Sequence, residues 1–401
     1  MGWRFGGLLA AAAVAAALTG SPAQAAATVS PGTLGVYRGP AAAGSVASYG
    51  TWLGRAMTWA QDFLPRDNWP AIEDPSWITD AWRSTPYRLV LTVPMIPDSG
   101  GSLQAGASGA YDIHFRRLGE ALVAQGQAGV VLRLGPEFNG DWFPWTAQGR
   151  EAPFAAYWRH IVDAMRSVPG QHFMFDWCPN MGSQKAAAEQ AYPGDAYVDY
   201  VGLDAYDQDW MPGWQDATTR WHNLVTMPYG LQWQQDFASR HGKLTTLPEW
   251  GVYTRPDGHG GGDDPYYVRQ MSAWIVAHDF AYEIYFELDA GDGSHRLMTS
   301  EFPKASEAFR QLFGSIAPAA PAVATPAAPA TPPATAPAPA APSGGGTPAS
   351  SPAPATAARP KPAVVTTTTP AAKARKSAPK RRVASDARTR PRRVAVLARR
   401  R

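Results

Sequence analysis

Between Thr33 and Gly314 the chain repeats one pattern, a short apolar run followed by a longer amphipathic or loop stretch. Eight such runs can be read: Leu34–Tyr37, Ala56–Trp59, Arg88–Ile96, Gly129–Leu134, His172–Trp177, Tyr197–Tyr206, Lys243–Trp250 and Ala281–Leu288. Several are continuous rather than alternating, as expected of strands buried on both faces. Apolar residues recur at helical spacing between them, over His114–Gln125, Phe154–Ser167, Leu231–Arg240, Tyr266–His278 and Lys304–Phe313. Strands alternating with helices imply βαβ units and a parallel sheet. Eight of them favour a ring closed on itself, an α/β chain of the (β/α)8 TIM barrel class, over an open doubly wound sheet. No Gly-x-Gly-x-x-Gly follows the first run, which weighs against dinucleotide binding.

Composition sets the limits of that barrel. All 16 tryptophans, 15 tyrosines and 14 phenylalanines precede residue 314. The chain beyond is dominated by Ala, Pro and Thr and then by Lys and Arg, too little apolar surface to offset chain entropy. The expected division is a signal peptide over 1–25, a catalytic barrel over 32–314, an uncharged Ala/Pro/Thr-rich linker over 317–358 and a disordered basic tail over 359–401. The signal is read from Arg4, the apolar run Leu8–Leu18 and the small-residue site Ala23-Gln24-Ala25, and it implies a secreted, extracellular or periplasmic protein. The net charge of +3 conceals an asymmetry: residues 359–401 hold 15 Lys and Arg against one acid, and the remainder holds 21 against 32. A basic tail on an acidic body does not indicate nucleic-acid binding. It is either solvated or a tether to an anionic cell-surface polymer. The single cysteine, Cys178, excludes an intrachain disulfide and reads as core filler. The chain is expected to act as a monomer, without cofactor or metal.

In a parallel barrel the reacting groups lie where strands end. The fourth run leads into Leu134-Gly135-Pro136-Glu137-Phe138-Asn139-Gly140, the seventh into Leu247-Pro248-Glu249-Trp250-Gly251. Each sets a glutamate directly after an apolar strand, and strands four and seven stand on opposite sides of an eight-stranded ring. Two carboxyl groups facing each other are what glycoside hydrolysis requires, one to protonate the departing oxygen and one to attack the anomeric carbon or activate water.

The stretch from Arg133 through Glu137, Asn139, Gly140 and Trp142 to Phe143-Pro144-Trp145 resembles the acid/base segment of glycoside hydrolase family 26, a family of β-mannanases and some β-glucan and xylan hydrolases. The run from Tyr192-Pro193-Gly194-Asp195 to Asp204 and Tyr206 resembles its sixth-strand region, and Leu247-Pro248-Glu249-Trp250-Gly251 its nucleophile strand. The resemblance covers residues 32–314. It implies a retaining glycosidase with Glu137 as acid/base, Glu249 as nucleophile and Tyr206 as the hydroxyl donor to Glu249. Two departures stand out. Pro136 occupies the place of a histidine before the acid/base, and Val93-Pro94-Met95-Ile96-Pro97 replaces a Trp-His pair at the end of the third strand. Both histidines would help shape the sugar subsite, so the polysaccharide stays open between β-mannan, a β-glucan and an exopolysaccharide. The alternative reading is a non-hydrolytic polysaccharide-binding or exopolysaccharide-processing barrel held by its basic tail.

Around this pair, Arg133 is either a group beside the carboxylates or a structural charge partner, and Asn139 either meets a sugar hydroxyl or caps a loop. Trp142, Trp145, Trp177, Trp210 and Trp250 are candidate sugar platforms, with core packing as the ordinary alternative. Glu287, ending the eighth run, either touches substrate or is paired within the fold. Asp204, Asp207 and Asp209 do not fit a calcium loop, and Asp257–Asp264 reads as a mobile loop lining the cleft.

Overall fold

Eight parallel strands pair in sequence order and the eighth closes on the first, forming a complete barrel. The computed structural model describes residue 30 and residues 32–314 except residue 183. The signal peptide expected over 1–25, the linker over 317–358 and the basic tail over 359–401 lie outside the described residues. The strands are β1 (Leu34–Tyr37), β2 (Trp59–Phe63), β3 (Arg88–Val93), β4 (Val131–Leu134), β5 (Met174–Trp177), β6 (Tyr200–Tyr206), β7 (Leu244–Gly251) and β8 (Phe280–Phe286). The helices are α1 (Ala43–Leu53), α2 (Trp69–Glu73), α3 (Ser76–Trp82), α4 (Leu103–Ala107), α5 (Asp112–Ala124), α6 (Glu151–Arg166), α7 (Ala217–Thr226), α8 (Leu231–Arg240), α9 (Pro265–Ala277) and α10 (Pro303–Phe313).

The helices cover the barrel because each carries one apolar stripe. On α6 it is Phe154, Trp158, Ile161, Val162 and Met165, all fully buried. Caps fix where helices begin. Asp216 accepts from Thr219 N at 2.8 Å at the head of α7, and Asp264 from Tyr266 N at 2.8 Å at the head of α9, where Pro265 follows without an N–H to satisfy.

The second strand departs from its expected position, Ala56–Trp59, and runs instead from Trp59 to Phe63. Its centre is the polar pair Gln61-Asp62, which hides it from a search for apolar runs. Asp62 is nevertheless buried, because Ala41 N (2.7 Å), Phe63 N (2.8 Å) and Trp82 Nε1 (2.8 Å) all donate to it.

Two layers of side chains result from strand alternation. Trp59, Val90, Val131, Tyr200, Tyr282 and Ile284 fill the barrel interior with a polar set above them. There Asp176 accepts from Thr246 Oγ1 at 2.7 Å and from the Tyr282 hydroxyl. The opposite faces of the strands pack outward on the helices. That layer takes Trp177, against Phe138, Tyr192 and Phe237, and Trp250, against Tyr285, Phe309 and Phe313.

Candidate active site

Strand β4 ends in a turn that only a particular sequence permits. Gly135 has φ +43°, and a Cβ there would stand 2.4 Å from Met95 Sδ. Pro136 follows, and Glu137 itself is held at φ +53°, the left-handed region that side chains other than glycine seldom occupy. The position is fixed on both sides, since Glu137 N donates to Cys178 O and Gly140 N to Glu137 O, each at 2.9 Å. Its side chain points into a cavity at the carboxyl ends of the strands. Trp142 Nε1 donates to Oε2 at 2.6 Å and Asn180 Nδ2 to Oε1. Burial first, and the nearby charge of Glu249 second, push the Glu137 carboxyl up to about 7.

Glu249 reaches the same cavity from β7. Pro248 has no N–H for the ladder, and the register with β8 shifts between Leu247 and Trp250. The register with β6 shifts between Gly202 and Asp204, so that Asp204 comes to lie beside Glu249. Both oxygens of Glu249 are held by donors, Oε1 by Arg133 Nη1 and Oε2 by the Tyr206 hydroxyl at 2.7 Å. Arg133 also pairs with Asp204 through Nη2. It is fully buried; burial opposes its charge, but Asp204, Cys178 and Glu249 outweigh that and keep its pKa above the ordinary arginine range.

The cavity encloses about 1040 Å³ up to its open mouth and is lined by Glu137, Glu249, Trp142, Trp145, Tyr206 and Asn180, among others. Aromatic walls with a few polar groups and two acids in unlike surroundings are the arrangement expected of a candidate active site. Of the residues expected to meet substrate, Trp142, Trp145 and Tyr206 therefore stand with the glutamates. Trp145 is nearly buried, stacked on Phe143 at 4.6 Å, with Nε1 donating to Pro136 O at 2.9 Å, so it braces the Glu137 turn as well.

Five expected contacts are corrected. Trp177 and Trp250 are fully buried on the outer face of the barrel, because each follows a residue of the inner face, Asp176 and Glu249. Trp250 Nε1 is taken by Glu283 at 2.8 Å. Asn139 is also buried and clamps the next strand, donating to Asn180 O and accepting from Asn180 N, both at 2.8 Å. Arg133 lies beneath the cavity and is a charge partner of Glu249, not a sugar contact. Trp210 is 47 % exposed, outside the cavity lining, with the Arg255 guanidinium 5.0 Å over its ring.

Glu287 is engaged within the fold, accepting from Arg38 (3.1 Å), Leu297 N (2.8 Å) and Met298 N (3.0 Å). Asp207 pairs with Arg220 at 2.5 Å, and Asp209 accepts from Asn223 at 2.5 Å. The 257–264 loop does not line the cavity. It is tied down by the Gln208–Gly260 bridge and by Arg255, which grips Asp257 at 2.6 and 2.9 Å. Among the lining residues that escaped the sequence reading are Asn180 and His295. Asn180 follows β5 and carried the same strand-end signal as the glutamates. His295 sits in a loop with no pattern to mark it.

Comparison with known proteins bears on this site. The family model described as Glycosyl hydrolase family 26 matches residues 116–244, a span that holds Arg133, Glu137 and Tyr206 and ends before Glu249. The chain is 32% identical over 126 residues to a mannan endo-1,4-beta-mannosidase of Bifidobacterium adolescentis, covering 30% of this chain and 12% of that protein. It is 32% identical over 120 residues to endoglucanase H of Acetivibrio thermocellus, covering 27% and 13%. The matched part thus spans about an eighth of the length of these curated relatives. Among solved structures, a modular endo-beta-1,4-mannanase from Cellulomonas fimi aligns with a TM-score of 0.45 at 23% identity, over 62% of this chain and 59% of that one. Residues 116–244, the stretch that builds the Glu137 side of this cavity, are thus similar to the sequences of glycosyl hydrolase family 26.

Proposed function

We propose that this protein is a retaining glycosidase that cleaves a β-linked polysaccharide of mannan or glucan type by double displacement at Glu137 and Glu249. One observation carries the reading: two glutamates share a cavity but are prepared for opposite tasks. Glu249 has a donor on each oxygen, one of them the Arg133 cation, which suits a carboxylate nucleophile. Glu137 is pushed up to about 7 by burial and by the Glu249 charge, which suits an acid that begins protonated. In the first step Glu249 attacks the anomeric carbon while Glu137 protonates the departing oxygen. The ester so formed removes the charge on Glu249, and with it one of the two influences that raised Glu137. Glu137 then gives up protons more readily and can take one from the incoming water. Trp142 and Asn180, each donating to Glu137, favour that ionised form.

The names of the relatives, a mannan endo-1,4-beta-mannosidase and an endoglucanase, support an endo-acting enzyme, and the first supports β-1,4-linked chains. The exported location and the tethering role of residues 359–401 belong to the same proposal and rest on the sequence alone. The test is hydrolysis of β-mannan, β-glucan and xylan with product sizing, by the parent chain and by Glu249→Gln. Reducing ends released by the parent and not by the variant support the reading. Polysaccharide binding without any released product would replace it with a binding barrel.

A further inference from the structure

His295 enters the cavity from the long connection between β8 and α10, on the side where Glu249 and Tyr206 stand. It is 2 % exposed. Its ring packs 4.7 Å from Tyr206, 4.2 Å from Tyr253 and, edge to face, 5.3 Å from Phe286. The backbone is equally fixed. Tyr285 donates its hydroxyl to His295 O at 2.9 Å, and the preceding residue, Ser294, exchanges two hydrogen bonds with Thr254 at 3.0 and 3.1 Å.

The ring's protonation follows from one contact. Nδ1 lies 2.9 Å from Val252 O. A carbonyl oxygen can only accept, so Nδ1 carries the proton. Burial lowers the pKa of the ring to about 4, so it is neutral in ordinary buffers. Nε2 is then a bare lone pair, and no described residue gives it a hydrogen bond. An oriented, uncharged acceptor at a cavity wall is placed to take a donor from whatever fills the cavity. Of the other polar groups of the wall, Arg66 and Arg255 only donate, the Asn180 and Gln208 side-chain oxygens already accept from Gln184 and Arg255 at 3.0 Å each, and the Asp292 carboxylate is a charged acceptor, which leaves His295 as the neutral acceptor packed on Tyr206.

We propose that His295 is a specificity-determining residue, whose Nε2 accepts a hydrogen bond from a free hydroxyl of the sugar seated beside Glu249 and Tyr206. The proposal rests on the glycosidase reading and narrows it. The substrate must present an unsubstituted hydroxyl at that place, and a sugar etherified, acylated or deoxygenated there is rejected. A site built around a hydroxyl discriminates strongly against its absence, since the acceptor is then left buried and unpaired.

The test is a cycle between variant and substrate. The parent chain and His295→Phe are assayed on a β-linked oligosaccharide and on its monodeoxyfluoro derivatives, one ring position at a time. Fluorine cannot donate, and its inductive effect on the reaction is common to both proteins. For one position, the fluorine penalty in kcat/KM should be about tenfold or more larger in the parent than in His295→Phe, which keeps only the inductive part and shows a matching loss already on the natural sugar. Equal fluorine penalties in parent and variant at every position would overturn the proposal, as would an unchanged kcat/KM in the variant. Should the phenylalanine variant fail to fold, His295→Leu serves instead. Its side chain has no acceptor, so the fluorine penalty should shrink relative to the parent, and an equal penalty overturns the proposal. If the parent hydrolyses no β-linked substrate, the glycosidase reading fails and this one with it. If the parent is active, Glu249→Gln is inactive and the discrimination is unmoved in the histidine variants, only this one fails.

Discussion

Glu137 and Glu249 are chemically the same side chain, and their neighbours make them different. Glu137→Gln cannot donate a proton to the departing oxygen, and kcat on polysaccharide should fall about 10²–10⁴-fold. The loss should be much smaller on an aryl glycoside whose leaving group needs no protonation, and an equal loss on both substrates would refute the acid role. The same residue should set the alkaline limb of kcat/KM. With its pKa near 7, activity should fall as pH rises through that value, because the reactive form is the protonated one. Stability should follow the same sign. The folded pKa lies above that of the unfolded chain, so between roughly 4.3 and 7 the folded protein holds a proton that the unfolded chain has lost, and stability declines with pH. Glu137→Gln has no such titration. Its melting temperature relative to the parent should therefore rise between pH 5 and pH 8, and a constant difference would contradict the raised pKa. Tyr206 acts on the partner carboxylate. Tyr206→Phe removes one of its two donors and should lower kcat about tenfold or more, with circular dichroism unchanged.

At the scale of the element, Glu137, the proposed acid, is delivered by the end of β4. Gly135→Ala would place a methyl 2.4 Å from Met95 Sδ at a left-handed φ, and should destabilise the fold by about 1–3 kcal/mol while displacing Glu137. A melting temperature within a degree of the parent would show that the turn has slack. Such strand ends explain what could be read beforehand. Runs such as Val130-Val131-Leu132 are legible because parallel strands are apolar on both faces. For the same reason the sequence does not tell which face is the interior, so Trp177 and Trp250 looked as accessible as Glu249. The strand β2 was misplaced by its buried Gln61-Asp62, whose partners Ala41 and Trp82 come from other elements. The glutamate positions could be found because a charged residue at the end of a buried strand is locally conspicuous. Asn180 gave a similar local signal in a less suggestive residue type. His295 gave none, since contacts between residues far apart in sequence, Thr254 with Ser294 and Val252 O with the His295 ring, bring its loop over the end of β7.

For the molecule as a whole, the separation of charge is the main feature left to test. The segment 359–401 carries +14 and the remainder −11. If the segment tethers the enzyme, its deletion should reduce retention on anionic wall or envelope material at low ionic strength, and added salt should release the full-length chain. Unchanged retention after deletion would exclude the tether.

Arg133 sits inside the barrel, among Thr92, Asp204 and Glu249, while the Trp142 and His295 walls of the cavity hang from connections outside it. The groups that hold Glu249 and the walls proposed to meet the sugar are thus built from different parts of the chain. Loops can be exchanged for those of a barrel with other tastes while the ion pair below keeps its geometry. A laboratory seeking a new linkage preference would graft above β4 and β8 and leave the strand interiors untouched.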